Sequence, residues 1–166
     1  TGGGLYSSGS GSPTLLTVTI NNNTTNTNGA GAWTGNDVSF IDTTFQSNTA
    51  RSRGGGLYIA AGNASLSNSN FTNNQASNGA STGYGGGVYV AGGVPTFTGV
   101  TFQSNKALRV GGAGGEGGGM YVSNSSPVLA TTGFDSNTAD SGGAGLFLNG
   151  SSADLDNVTF TNNTAG

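Results

Sequence analysis

The chain contains no cysteine, so disulfides and thiolate metal sites are excluded. It contains no histidine either, which removes the commonest general base and any Ser-His-Asp triad. Only 7% of the residues are charged, and four basic side chains in a chain of net charge −3 argue against nucleic-acid binding. No run of 18 apolar residues is present, so no membrane span is predicted.

Glycine, in contrast to the charged residues, is abundant: it makes up 33 of 166 residues, against a usual share of roughly 7%. An aperiodic chain of this composition would be expected to be disordered. The apolar residues are periodic, however, and this periodicity predicts a folded repeat protein.

The clearest repeat is Phe-x-x-Asn, with Ile in the first occurrence. The spacing between its Phe/Ile positions is 25, 26, 31, 32 and 26 residues. The Phe/Ile positions form a column that we predict to be core: Ile20, Phe45, Phe71, Phe102, Phe134 and Phe160. The Asn positions form a second column, which we predict to be a structural ladder of stacked amides: Asn23, Asn48, Asn74, Asn105, Asn137 and Asn163.

A glycine run followed by a short apolar segment recurs in phase with this motif, as in Gly54-Gly55-Gly56-Leu57-Tyr58-Ile59. The repeats alternate over short β-rich segments and lack the long 3.6-residue period of an amphipathic helix. We therefore predict an all-β parallel solenoid of about six coils of 25–32 residues, each with two or three strands, stacked at roughly 4.8 Å. The predicted coils of this single domain, 1–166, are approximately 1–28, 29–53, 54–83, 84–115, 116–141 and 142–166.

The repeated Gly-Gly-(Gly/Ala)-aliphatic unit followed by Phe-x-x-Asn resembles the passenger repeats of the chlamydial polymorphic outer-membrane proteins. It is also similar to the wider set of right-handed parallel β-helix surface proteins of bacteria. The resemblance spans all six repeats, from Gly2 to Asn163, although Gly29-Ala30-Gly31 departs from the triple glycine. It implies a right-handed β-helix, export from the cell, and a structural or adhesive role at the cell surface.

One aromatic residue per repeat lies between two aliphatic columns, so strand alternation places it on the outward face. These residues form a possible contact stripe: Tyr6, Trp33, Tyr58, Tyr89, Tyr121 and Phe147. The stripe either meets a partner or is covered by loops. Two enlarged loops, Ala76–Gly83 and Ala107–Gly115, occupy the same corner of adjacent coils, so we expect them to touch and to be a second contact surface.

The acidic residues are scattered, which argues against an enzyme and predicts no catalytic residue and no cofactor. Asp154 and Asp156 are the only close pair, a weak calcium candidate because Ca²⁺ requires 6–8 oxygen ligands. The four basic residues fall at one corner and are interpreted as a solvated edge.

Neither end of the pattern carries a charged or proline-bearing cap, and joining Gly166 to Thr1 continues the repeat in phase with a step of 26 residues. We expect either a segment of a longer, processed protein or a subunit that stacks head to tail. The predicted function is that of an extracellular structural or adhesive rod that associates end to end, possible further partners being glycans or other surface proteins. The alternative is a glycan-binding or pectate-lyase-like β-helix. Ice binding is disfavoured because the outward pairs, such as Thr96/Thr98 and Asp154/Asp156, are irregular.

Overall fold

A computed structural model describes residues 2–77 and 79–166. The chain winds through six coils, and each coil contributes one strand to each of four parallel six-stranded sheets. Every strand pairs in register with its equivalent in the neighbouring coil, as Leu66 pairs with Phe40 on one side and Phe97 on the other. The predicted parallel solenoid is confirmed. Over this part of the chain there is no helix long and apolar enough to cross a membrane.

Each sheet takes its strands in coil order. The first sheet contains Leu5–Ser7, Ala32–Thr34, Leu57–Ile59, Val88–Val90, Met120–Ser123 and Leu146–Asn149. The second contains Thr14–Leu16, Ser39–Ile41, Ser65–Ser67, Thr96–Thr98, Val128–Ala130 and Asp154–Asp156. The third contains Thr19–Asn21, Thr44–Gln46, Asn70–Thr72, Thr101–Gln103, Gly133–Asp135 and Thr159–Thr161. The fourth contains Thr24–Thr25, Thr49–Ala50, Gln75–Ala76, Lys106–Ala107, Thr138–Ala139 and Thr164–Ala165. Each coil thus has four strands rather than the two or three expected.

Two corners of every coil are made by a single residue in the left-handed conformation. In the third coil these residues are Asn68, with φ 47°, and Asn73, with φ 56°. The first bends the chain from the second sheet to the third, and the second bends it towards the fourth. Asn tolerates positive φ because its short side chain can bond locally. The residue that follows each bend, Ser69 or Asn74, is fully buried and points a polar side chain into the corner.

The glycine run allows the backbone to pass close to the aromatic core where it enters the first sheet. Its first member adopts positive φ, as at Gly85 with 66°, which glycine permits without steric cost. Its third member packs on the core ring, because a Cβ on Gly87 would lie 3.0 Å from Cδ1 of Phe102 and 2.5 Å from the Gly119 carbonyl oxygen. The repeated glycine thus brings the first sheet onto the aromatic core.

The core lies between the first sheet and the second and third sheets. Its largest fully buried side chains are Phe40, Phe45, Phe71, Phe97, Phe102, Phe134, Leu57, Ile59, Leu66, Met120, Leu129 and Val38. They belong to columns that repeat from coil to coil, so each coil buries its apolar residues against the coils on either side.

One core position breaks its column. Thr34 is fully buried, and its hydroxyl has no hydrogen-bond partner. Its neighbour in the register is Ile59, and the next coil places Val90 there. Burying an unpaired hydroxyl is unfavourable, so this residue weakens a column that is apolar from the third coil to the sixth.

Replacing Thr34 by valine, which has the same shape, is expected to raise the free energy of unfolding by about 1 kcal/mol. Urea denaturation followed by circular dichroism would measure the change. Thr44→Val is the control, because Thr44 lies in a strand of the third sheet and is only partly buried. An equal gain in both variants would show that general β-propensity, rather than the buried hydroxyl, sets the effect.

Candidate functional site

The six asparagines of the Phe-x-x-Asn motif lie in one column and hydrogen-bond along the rod axis. Nδ2 of Asn74 donates to Oδ1 of Asn105 at 3.0 Å, and Nδ2 of Asn105 donates to Oδ1 of Asn137 at 3.0 Å. The second amide proton of Asn105 reaches the carbonyl oxygen of Phe71 at 2.9 Å. The backbone N–H of Asn74 also donates to Oδ1 of Asn105, at 2.9 Å. Every amide in the column therefore points the same way along the rod.

The phenylalanines of the motif form a parallel stack beside this ladder. The rings of Phe71 and Phe102 have centroids 5.0 Å apart and are inclined by 9°, and those of Phe102 and Phe134 are 4.7 Å apart and inclined by 5°. The stack starts on Ile20 in the first coil and ends at Phe160 in the sixth. Phe102 is fully buried, whereas Phe160 is 51% exposed.

Both ends of the rod leave the core open. On the sixth coil, Leu155 and Phe160 are exposed, although their equivalents in the interior coils are buried. On the first coil, a recess of about 340 Å³ is lined by Leu5, Leu15 and Ile20 together with Asn23. Both faces expose apolar side chains and strand edges with unpaired backbone groups, which are typical of surfaces that accept another strand.

The six aromatic residues of the first sheet point away from the core and stack on one another. Adjacent centroids are 4.6 to 6.3 Å apart, and the rings are inclined by no more than 14°. Exposure falls from 53% at Tyr6 to 7% at Tyr89 and 6% at Tyr121. Neighbouring rings occupy the ring faces within the stripe, so a partner there would meet ring edges and hydroxyl groups.

Beside the middle of this stripe lies a polar recess of about 320 Å³. We call it the Arg53–Glu116 recess, and its lining residues are Arg53, Tyr84, Tyr89, Glu116, Tyr121, Ser123 and Asn149. Arg53, Tyr84 and Glu116 occupy successive coils at one register position, because parallel bridges pair Arg53 with Tyr84 and Tyr84 with Glu116. The recess therefore holds one cation and one carboxylate two coils apart.

The side chains around the recess are fixed by specific contacts. The guanidinium carbon of Arg53 lies 5.4 Å from the centroid of the Tyr89 ring. Tyr84 packs edge-on against Tyr121, with centroids 5.3 Å apart and an angle of 71°. Nδ2 of Asn149 donates to the hydroxyl of Tyr121 at 2.9 Å.

Two tyrosines of the stripe have a pKa above the usual value. Burial raises the pKa of Tyr58 above its usual value of 10.0, and the charge and hydrogen bond of Arg53 partly offset that effect. Burial also raises the pKa of Tyr121, against the opposing effect of its hydrogen bond with Asn149. Both hydroxyls are therefore protonated at neutral pH and can donate hydrogen bonds.

The two enlarged loops do touch. Residues 76–83 meet residues 107–115 through the N–H of Gly83, which donates to the carbonyl of Leu108 at 2.7 Å, and through the hydroxyl of Thr82, which donates to the carbonyl of Val110 at 3.1 Å. Asn78, within the first loop, lies outside the described residues. The second loop passes so close to Tyr84 that a Cβ on Gly114 would lie 2.6 Å from its hydroxyl. The loops thus hold Tyr84 against the stripe.

The remaining charged residues do not form a cluster. Asp154 and Asp156 flank Leu155 on the last strand of the second sheet, and both are exposed. No group of three or more acidic, histidine or cysteine residues that could hold a metal occurs in residues 2–77 and 79–166. Arg51 donates to the hydroxyl of Ser81, and the backbone N–H of Arg109 donates to Asp140, so two of the basic residues contribute contacts at the loop corner.

The sequence analysis placed the four basic residues, Arg53 among them, at one corner but did not join Arg53 to the other residues of the recess. The signal that joins them is the position immediately before the glycine with positive φ. That position holds Arg53, Tyr84 and Glu116 in the third, fourth and fifth coils. In the second and sixth coils it holds the smaller residues Asn28 and Gly142.

The stacked coils, the in-register columns and the parallel sheets define a β-helix. The family model described as right-handed beta helix region matches residues 1–166, and the chain belongs to this family. The fold is therefore a right-handed parallel β-helix of about six coils.

Among the curated proteins and among the solved structures, none matches this chain with significance.

Proposed function

We propose that this chain is a structural or adhesive rod of the cell surface, a subunit or segment that continues end to end through coils of the same design. In a longer polypeptide the next coil comes from the same chain. For the 166-residue chain in solution, it comes from a second copy. The extracellular setting is supported by the resemblance of the repeats to the passenger repeats of the chlamydial polymorphic outer-membrane proteins.

The observation that carries this proposal is the complementarity of the two end faces. At the first coil, the described residues donate no hydrogen bond to Oδ1 of Asn23, which is the acceptor end of the ladder. At the sixth coil, Asn163 donates through Nδ2 to Phe134, and its backbone N–H and second amide proton have no partner in the described chain. Joining a sixth coil to a first coil therefore places donors opposite an acceptor.

The apolar groups on the two faces match in the same register. A copy that continues the columns brings Ile20 onto the exposed ring of Phe160 and fills the recess beside Ile20. The sixth strands of the four sheets then meet the first strands in parallel. Two identical faces would instead oppose donor to donor or acceptor to acceptor, so the contact is heterologous and gives an open fibre.

Negative-stain electron microscopy and light scattering across a concentration series would test this proposal. We expect rods of uniform width whose mean length grows with concentration. Phe160→Asp is expected to weaken association by at least about tenfold, because it buries a carboxylate in the apolar contact. Short particles of one size at every concentration would contradict end-to-end association of this chain.

Thr98→Asp is the matched control. Thr98 is exposed on the outward side of the second sheet in the fourth coil, and both of its register partners, Ser67 and Ala130, belong to the same chain, so a charge added there does not meet a second copy end to end. This variant should form the same rods as the unmodified chain. If it shortened them as much as Phe160→Asp, the association would be lateral rather than end to end.

Glycan binding draws less support from this geometry. Sugars usually stack on open aromatic faces, and here the faces within the stripe are covered by neighbouring rings. A stripe that presents its edges suits hydrogen bonding to a surface partner better than ring stacking.

A further inference from the structure

The Arg53–Glu116 recess has features that the end-to-end rod does not require. A rod needs columns that repeat, yet the position before the left-handed glycine changes from a cation to a tyrosine to a carboxylate over three coils. Those side chains line a mainly polar space that also receives Tyr121, Ser123 and Asn149 from the first sheet.

The two charges of the recess do not satisfy each other. The backbones of Arg53 and Glu116 are two coils apart, about 10 Å at the usual strand spacing. Arg53 leans towards Glu116, because its guanidinium lies over Tyr89 in the intervening coil. The carboxylate of Glu116 is half-buried and has no hydrogen-bond or ion-pair partner among the residues that the structure describes. The guanidinium of Arg53, a donor, and the carboxylate of Glu116, an acceptor, are therefore separated by about one coil, roughly 5 Å along the rod axis.

We propose that the Arg53–Glu116 recess binds a small zwitterion, with the ligand's carboxylate on Arg53 and its ammonium group on Glu116. A guanidinium presents a planar fork of donors that matches a carboxylate, and a carboxylate accepts hydrogen bonds from an ammonium group. Tyr84 occupies the coil between the two charges, and Ser123 and Asn149, from the coil of Glu116 and the one after it, add neutral polar groups to the lining. The volume of about 320 Å³ suits a free amino acid or an amino acid at a peptide end.

The site is preorganised by backbone pairing rather than by the ligand. The N–H of Gly54 donates to the carbonyl of Tyr84, and the N–H of Gly85 donates to the carbonyl of Glu116, both at 3.0 Å. These bonds fix the order and spacing of the three side chains on the rod. The backbones that carry the two charges therefore keep a fixed separation, so binding has to order side chains only.

Isothermal titration calorimetry with glycine and with 4-aminobutyrate, two zwitterions of different length, would test the proposal. We expect saturable binding of at least one of them, and none for acetate, methylammonium or glucose at the same concentrations. Glu116→Gln and Arg53→Gln are each expected to weaken binding by about tenfold or more, because each removes one charge-assisted contact. Circular dichroism would verify that both variants keep the β-helix.

Arg51→Gln is the matched control, since Arg51 is an exposed arginine of the same corner that binds Ser81 and does not line the recess. It should leave the affinity unchanged. The proposal is overturned if neither zwitterion binds saturably, if glucose binds more tightly than both, or if Arg51→Gln weakens binding as much as Arg53→Gln. None of these results depends on rod formation, which the electron microscopy measures separately.

Discussion

Replacing Asn105 by alanine is expected to lower the free energy of unfolding by about 4 kcal/mol or more. The amide of Asn105 makes four hydrogen bonds, to the backbone N–H and Nδ2 of Asn74, to the carbonyl of Phe71 and to Oδ1 of Asn137. Asn74, Asn105 and Asn137 are fully buried, so water cannot replace the lost partner without entering the core. Each unpaired group costs about 1–3 kcal/mol, and the substitution leaves several at once.

Urea denaturation at low protein concentration, followed by circular dichroism, would measure this loss. Asn21→Ala is the control, because Asn21 is an exposed residue of the third sheet. Its effect should stay within about 0.5 kcal/mol, as for most surface substitutions. Comparable losses in the two variants would mean that the ladder adds no more than any surface asparagine.

Replacing Phe102 by alanine is expected to lower the free energy of unfolding by about 3–5 kcal/mol. Phe102 is fully buried and stacks between Phe71 and Phe134, so its removal leaves a cavity that rigid strands on all sides cannot close. Beyond the lost burial, the substitution removes the two stacking contacts and a tilted contact with the ring of Phe97, and each such ring contact contributes about 0.5–1.5 kcal/mol.

The same substitution at Phe160 provides an internal comparison. Phe160 has one ring neighbour, Phe134, and is 51% exposed, so Phe160→Ala should cost less than half as much in dilute solution. Chemical denaturation of Phe102→Ala and Phe160→Ala would measure the loss of unfolding free energy in each variant. If the two losses were equal, burial of the stacked ring would not be what stabilises the central coils.

The repeat made the parallel β-helix predictable because identical turns have identical local solutions. Leu66, Phe71 and Asn74 recur at fixed offsets, and each offset corresponds to one position on the coil. The fourth strand was missed because two residues, such as Gln75–Ala76, are too short to show a hydrophobic period.

The left-handed residues at the corners of the coils could be predicted only in part from the sequence. The structure gives positive φ to the residue before each ladder asparagine and not to the asparagine itself. Asn73 at that position is a recognisable signal, but Ser47 and Ser104 occupy it too and carry none. Backbone pairing with the neighbouring coils imposes the conformation there.

The recess could not have been found from the repeat itself. Alternation along the strand placed Tyr89 and Tyr121 outward, but Arg53 lies over the ring of Tyr89, and Tyr84, which the inserted loop at residues 107–115 approaches closely, packs against Tyr121. Insertions interrupt the spacing of the repeat, so comparing one repeat with the next does not predict which part of the aromatic stripe is covered.

The interior polar groups of this rod are Asn, Ser and Thr side chains throughout the described chain. They bind no proton at any ordinary pH, so the hydrogen bonds inside the rod do not change with acidity. Tyr58 and Tyr121 set the alkaline limit: their folded pKa lies above the unfolded value of 10.0, so the contribution of their protonated forms is complete below that pH. It is lost as the pH rises through the raised values. A β-helix held by amides can thus keep its shape where a protein held by buried ion pairs would acid-denature.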